Sequence, residues 1–215
     1  MWAALLRSPF FIAEAHLVSA FLFFSQFWYG AAMISKFPIS TDRLIVRRFR
    51  ADDAAAFHGW RNDAEVARYT LWDFPYPMAE AEAFCREQAA FEAFPIGGWC
   101  QIMIEEKASG LAIGDIGLGL RLEDKDSLTV GYSLHRPYWG QGLMFEALKA
   151  ILPVVAAEID AVILKAEIDI RNAASGRVLE KLGFNRGPLK EKASFVKDEW
   201  CDEYDYHLKV DQWSL

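Results

Sequence analysis

The stretch from Ser127 to Ala157, SLTVGYSLHRPYWGQGLMFEALKAILPVVAA, constrains the fold more than any other part of the chain. Its first part is apolar and rich in β-branched and aromatic residues, and predicts a strand over 127–134. Its last part repeats apolar residues at helical spacing and predicts a helix from about Gly142 to Ala157. Between them, Gly140 and Gly142 bracket a single glutamine, Gln141. The start of a helix carries backbone N–H groups without internal partners and a partial positive charge, so it attracts anions. Glycine accepts positive φ there and lets a ligand touch bare backbone. The pair is therefore either a phosphate cradle or a tight turn chosen for geometry, and Gly-x-Gly alone favours the turn. The loop is neither a GxxxxGK[ST] loop nor a full GxGxxG, because Phe145 holds the last position. Pro153 inside the helix removes one hydrogen bond and predicts a kink costing about 3 kcal/mol.

The rest of the chain alternates in the same manner. RLIVRRF (43–49) predicts a strand, and Asp52 and Asp53 open a helix that runs to about Trp60. Asn62 and Asp63 can cap a short helical segment, AEVARY (64–69). TLWDFPYPM (70–78) carries two prolines and is excluded from a helix interior, and a helix follows over 79–94. Strands are predicted over 99–105 and 111–121, joined by a turn at 107–110. A polar turn at 123–127 leads into the strand at 127–134. Beyond the glycine loop come a strand at 162–168, a helix at 173–182 stopped by Gly183, and strands near 189–196 and 203–210. This order predicts a mixed α/β domain.

The net charge of −7 argues against a nucleic-acid surface and suits cationic partners. Cys85, Cys100 and Cys201 stand far apart with no CxxC or HExxH, so no metal or redox site is expected and the thiols read as reduced. Residues 1–35 form an apolar extension ahead of a domain over 36–215. From Leu17 to Ile34 it carries no charge, a run just long enough to span a bilayer. It reads as a membrane anchor, as a signal peptide with Arg7 in its n-region, or as residues translated ahead of a natural start at Met33. The last reading, with a cytoplasmic protein, is the expectation. A cytoplasm-facing membrane protein is the alternative, and membrane contact is expected only if the extension is a genuine anchor.

Downstream of the helix the chain reads IRNAASGRVLEKLGF, from Ile170 to Phe184. A strand–GxG–helix followed by strand–Asn-x-x-Ser–helix–KLGF resembles the GNAT (GCN5-related) N-acetyltransferases. TDRLIVRRF (41–49), GWRNDAEV (59–66) and DEWCDEYDYHL (198–208) with Trp213 resemble the RimJ/RimL branch. That branch acetylates ribosomal-protein N-termini and includes small-amine acetyltransferases. The resemblance covers roughly residues 40–213.

The resemblance implies a mostly antiparallel twisted sheet, splayed between two central strands and flanked by helices, with acetyl-CoA as cofactor. It implies a pyrophosphate held on the backbone from Trp139 through Gly140, Gln141, Gly142, Leu143 and Met144 to about Phe145. Where the family often has Gln or Arg, Pro137 stands beside Arg136, which shifts the expected grip from side chain to backbone. Tyr132 and Leu134 would line the pantetheine arm, with Gly131 marking a bulge or the splay. Asn172 would bond the pantetheine or acetyl end, or cap its helix. Ser175 would protonate the leaving thiolate, or bond backbone at the helix start. A tyrosine acid found in many members is replaced by Leu179, and a glutamate base by about Thr129.

A site without an obvious base suits a weakly basic amine. An α-amine, with pKa ~7.7–8.0, is partly neutral at pH 7, whereas a lysine amine at ~10.4 is almost wholly protonated. Water could relay protons to Asp115 or His135. Trp72, Phe74 and Tyr76 would form the acceptor wall, with Asp63, Glu65 and Asp73 to attract a cation. The expected activity is acetyl transfer to a protein N-terminus or a small-molecule amine, by a monomer or homodimer. The alternative is a CoA-binding sensor or interaction module with little catalysis.

Overall fold

The computed structural model describes residues 36–91, 95, 97–121 and 124–213. Its first strands are β1 (Ile39–Ser40) and β2 (Leu44–Arg48), followed by the helices α1 (Ala54–Arg61), α2 (Ala64–Ala67) and α3 (Met78–Ala90). Next come β3 (Trp99–Glu106), β4 (Ala112–Arg121), β5 (Asp124–Leu134) and α4 (Leu143–Glu158). The chain closes with β6 (Ile163–Asp169), α5 (Ala173–Lys181), β7 (Asn185–Val196) and β8 (Glu199–Lys209). The eight strands form one sheet in the order β1-β2-β3-β4-β5-β6-β8-β7. Every neighbouring pair is antiparallel except β5 and β6, which are parallel. A parallel pair needs a crossover, and α4 supplies it.

Alternation along the strands divides the core in two. Val46, Ile104, Ile116, Leu118, Leu128 and Val130 face α4 and α5, meeting Leu148, Ile151, Leu152, Val155 and Leu179. On the other face Met103 meets Phe49, Phe57, Trp60 and Cys85 beneath α1 and α3. Phe57 and Phe84 stack there with centroids 5.0 Å apart.

Several boundaries differ from the sequence expectation for local reasons. Helix α3 ends at Ala90, not near residue 94, because Phe91 turns extended and the Arg48 guanidinium bonds the carbonyls of Ala89 and Phe91. The strand predicted at 127–134 begins at Asp124, and the two C-terminal strands are longer than expected because they pair as a hairpin from Asn185↔His207 to Val196↔Glu199. Pro153 does not break α4. It lies on the exposed stripe with Lys149, whose carbonyl loses its helical donor, so water can replace the missing bond. The apolar run from Leu17 to Ile34 lies outside the described residues; among those described, no helix is long and apolar enough to cross a membrane.

Two glycines of β4 are set by a close approach rather than by a turn. A Cβ on Gly119 would meet Trp99 Cε2 at 2.8 Å, and one on Gly117 would meet Gln101 Nε2 at 2.7 Å and Trp99 Cε3 at 3.1 Å. The indole thus lies flat across bare backbone. Gly119→Ala is expected to destabilise the fold by about 1–3 kcal/mol through overpacking, read as a lower urea midpoint at unchanged slope. An unchanged midpoint would show that the indole is free to move aside.

Candidate functional site

The sheet parts at its centre. Strands β5 and β6 pair only over Ser127↔Ile163, Leu128↔Leu164 and Thr129↔Lys165. Beyond Thr129, β5 continues to Leu134 and β6 to Asp169 without pairing each other. Gly131 lies just inside this opening but keeps unbroken register with Gly117 of β4, so it marks the splay and not a bulge.

The loop after β5 makes a single 3₁₀ turn over Arg136–Tyr138 and then reaches the glycines. Gly140 and Gly142 have φ of 73° and 75°, the left-handed region where a Cβ is strained. Gly142 is the N-cap of α4, and its carbonyl accepts from Glu146 N at 3.0 Å. The amides of Leu143, Met144 and Phe145 are therefore first-turn donors. The Leu143 and Met144 side chains are buried in the core, which leaves their backbone as the part turned to the loop. A Cβ on Gly140 would meet nothing within 4 Å, so that glycine serves backbone shape and open access.

Residues from the other end of the domain brace this loop. Glu146, in the first turn of α4, accepts from Thr41 Oγ1 at 2.5 Å, Arg43 N at 2.9 Å and Arg43 Nε at 2.6 Å. Arg43 Nη1 donates to the Gln141 carbonyl at 3.0 Å. Burial alone would raise the Glu146 carboxyl, but the hydrogen bonds from Thr41 and Arg43 hold it below the usual range. Within the loop, Gln141 Nε2 donates to the Pro137 carbonyl at 2.9 Å and Trp139 Nε1 to the Leu134 carbonyl at 2.6 Å. Arg136 pairs with Asp63 at 2.8 Å, and Asp63 also caps α2 by accepting from Glu65 N. The acid expected to draw in a cation thus already holds one.

Across the splay, the Asn172 side chain accepts from Ser175 N at 3.2 Å and caps α5. The Tyr132 hydroxyl lies 2.8 Å from Ser175 Oγ and 3.1 Å from the Ser175 carbonyl. Burial pushes the Tyr132 phenol up, against a smaller lowering by the Ser175 contact. Leu179 lies wholly in the core.

The residues expected to form an acceptor wall differ in exposure. Tyr76 is buried, with its backbone N–H on Asn62 Oδ1, and burial raises its phenol. Trp72 is half-buried over the Arg61 guanidinium at 3.7 Å, and Phe74 is 47 % exposed. Asp115, considered as a proton relay, is buried and accepts from Trp60 Nε1, Ser133 Oγ and Arg61 Nη2. His135 is half-buried with its ring 6.0 Å from that of Tyr138. The turn of the β7–β8 hairpin meets the end of α2, where Lys197 Nζ bonds the Ala67 carbonyl. Cys85 and Cys100 are free and buried, and burial pushes their thiols up to about 12 and about 11, far from a reactive thiolate. Among the described residues no three His, Cys, Asp or Glu side chains group as metal ligands.

A mostly antiparallel sheet that opens beside one parallel strand pair, above a glycine-turned helix start, defines the class of CoA-dependent acyltransferases. The family description "Acetyltransferase (GNAT) domain" matches residues 43–185, and the chain belongs to that family. It is an acetyltransferase that uses acetyl-CoA. It is 26% identical over 178 residues to the uncharacterized N-acetyltransferase YnaD of Bacillus subtilis (strain 168), covering 82% of this chain and 99% of that one. Its fold matches a GNAT-family acetyltransferase of Bacillus anthracis with a TM-score of 0.72, at 22% identity over 81% of this chain and 99% of that one. It also matches the ribosomal L7/L12 alpha-N-protein acetyltransferase RimL in complex with coenzyme A. There the TM-score is 0.71, at 18% identity over 81% of this chain and 98% of that one.

Proposed function

We propose that residues 36–215 form one catalytic domain, with 1–35 as an extension outside it, and that it acetylates the α-amine of a peptide or a similarly weakly basic small amine. The observation that carries this reading is the opening between β5 and β6 directly beside the glycine-turned start of α4. Acetyl-CoA supplies an activated thioester, and the family requires it. The bare backbone at Gly140 and Gly142 and the first-turn amides of α4 fit its pyrophosphate, as a helix N-terminus fits any phosphate. Arg43 and Glu146 hold that backbone in shape before the ligand arrives. The unpaired edge of β5 at Tyr132 and Leu134 is suited to pairing with the amides of the pantetheine arm. The Leu134 carbonyl already accepts from Trp139 Nε1, so a pantetheine amide would use its second lone pair or displace the indole.

Asn172 and Ser175 stand on the far lip of the opening, where a hydroxyl can donate to the departing sulfur. Trp72 and Phe74, with buried Tyr76 behind them, are the proposed acceptor wall. Neither Thr129, half-buried in the strand, nor Asp115, with its oxygens already engaged, is a free carboxylate base. That supports an acceptor that is already neutral in part at neutral pH. The likeness to RimJ/RimL enzymes, a cytoplasmic location and a monomeric or homodimeric state belong to the same proposal.

A panel of peptide N-termini, peptides with a free lysine and a blocked N-terminus, polyamines, aminoglycosides and amino acids tests this reading. The expected result is a preference for α-amines, with kcat/KM rising with pH up to the acceptor pKa near ~8. A preference for lysine side chains would overturn it.

A further inference from the structure

We propose that Tyr132 is a positioning residue that aims the Ser175 hydroxyl at the sulfur of the departing coenzyme A. This rests on the reading of Ser175 as the sulfur donor. Four observations carry it further than Ser175 alone.

Tyr132 lies three residues past the last β5–β6 pair, Thr129↔Lys165, on the strand that lines the opening. Ser175 lies in the first turn of α5, on the opposite lip. Their hydroxyl oxygens are 2.8 Å apart, so one hydrogen bond links the two sides directly. Position 179 carries a buried leucine, so α5 offers no phenol there, whereas β5 brings one to the same helix.

Either hydroxyl can donate in this contact, and the crowding of the acceptors favours Tyr132 as the donor. The Tyr132 proton has two within reach, the Ser175 carbonyl at 3.1 Å and Ser175 Oγ at 2.8 Å. The carbonyl belongs to the third residue of a nine-residue helix, where the backbone donor four residues on takes one of its two lone pairs, so it is the more crowded acceptor. Oγ is nearer and, among the described residues, has no other donor. With Tyr132 donating to Oγ, the serine proton is left for a third atom facing the opening. Burial keeps the Tyr132 phenol protonated, so this arrangement persists throughout the working pH range.

In the reaction, the amine lone pair forms the new C–N bond, and the C–S electron pair leaves on sulfur. Ser175 shares its proton with that sulfur as a hydrogen bond, and neither hydroxyl changes its proton count. The surplus proton on nitrogen passes to water, and water returns one to the thiolate.

The test compares the wild-type protein with Tyr132→Phe, Ser175→Ala and the double variant. The first readout needs no turnover: the thiol of bound coenzyme A is titrated by thiolate ultraviolet absorbance. A donor to sulfur lowers that pKa, and each single variant is expected to raise it again by about one unit. Turnover is the second readout. Tyr132→Phe is expected to lower kcat roughly tenfold with KM for acetyl-CoA unchanged, and to add little to Ser175→Ala. Thermal unfolding of each variant, compared with the wild type, serves as the folding control. A shifted thiol pKa in Ser175→Ala but not in Tyr132→Phe would overturn the role of Tyr132 and leave Ser175 standing. No change in Ser175→Ala would overturn the serine assignment itself. Equal losses in affinity and kcat in Tyr132→Phe, with the thiol pKa unmoved, would reduce Tyr132 to packing.

Discussion

Gly142→Glu is expected to weaken acetyl-CoA binding on the order of a hundredfold or more. Three effects act in one direction. The residue is the N-cap of α4 at φ 75°, where a Cβ-bearing residue is strained by about 1–3 kcal/mol. A Cβ there stands 3.8 Å from Arg43 Nη2, an ordinary contact, so the added carboxylate competes with Glu146 and the Gln141 carbonyl for the guanidinium that fastens the loop. The new carboxylate faces the proposed pyrophosphate, and two like charges at ~4 Å cost about 4 kcal/mol at an effective dielectric near ~20. Gly142→Ala separates the causes, since it keeps the strain and removes the charge. Its dissociation constant should lie between wild type and glutamate. Isothermal titration with acetyl-CoA gives both values directly. An unchanged dissociation constant in Gly142→Glu would refute the assignment of the cradle, and Ser175 and Tyr132 would lose their frame with it.

What could be read from sequence depended on how local the cause was. The strand–loop–helix junction was legible because its parts are adjacent: β5 ends at Leu134, and α4 begins at Leu143, one residue past the expected start. The splay was legible only through family resemblance. A strand does not reveal where its neighbour stops pairing, and Gly131 proved to lie in unbroken register on its other side.

The brace of the cradle was missed as a brace. Thr41 and Arg43 stand more than a hundred residues from Glu146, and the sequence shows them only as part of a family-like TDRL segment and, for Arg43, as the start of a strand. One local signal pointed at Glu146: an acid in the first turn of a helix, facing the positive end. Nothing local pointed to its partners. The Tyr132–Ser175 link spans 43 residues and joins a strand face to a helix turn, a coincidence that only the packed sheet creates. Trp72 and Tyr76 read as acceptor surface because their loop is proline-broken and aromatic. Their rings also meet the guanidinium of Arg61, a residue that composition would place in solvent.

That guanidinium makes Asp115→Leu the substitution with the largest expected effect on stability. Asp115 lies on β4 opposite Ser133, and its side chain is buried. Its carboxylate accepts from Trp60 Nε1 at 3.0 Å and Ser133 Oγ at 2.7 Å, with Arg61 Nη2 at 3.4 Å. Arg61 is buried between the rings of Trp72 at 3.7 Å and Phe57 at 4.4 Å, and its Nε has no partner among the described residues. Burial pushes Arg61 below its ordinary pKa, and the Asp115 charge opposes that. Leucine would orphan two neutral donors and leave a buried cation with aromatic faces alone. Removing one partner of a buried pair costs about 3–5 kcal/mol. For a domain of this size that corresponds to a drop in Tm on the order of 10 °C. Replacing both charges, Asp115→Leu with Arg61→Met, should recover part of the loss, because the desolvated charge is then gone. Thermal unfolding of the two single variants and the pair decides the matter. If Asp115→Leu alone melts with the wild type, Arg61 is solvated in solution. If the pair is no more stable than Asp115→Leu, the loss lies in the Trp60 and Ser133 bonds rather than in the charge. In either case the Arg61 cation is not what fixes α1 against the sheet, and the position of Trp72, the residue of the proposed acceptor wall that lies over it, needs another cause.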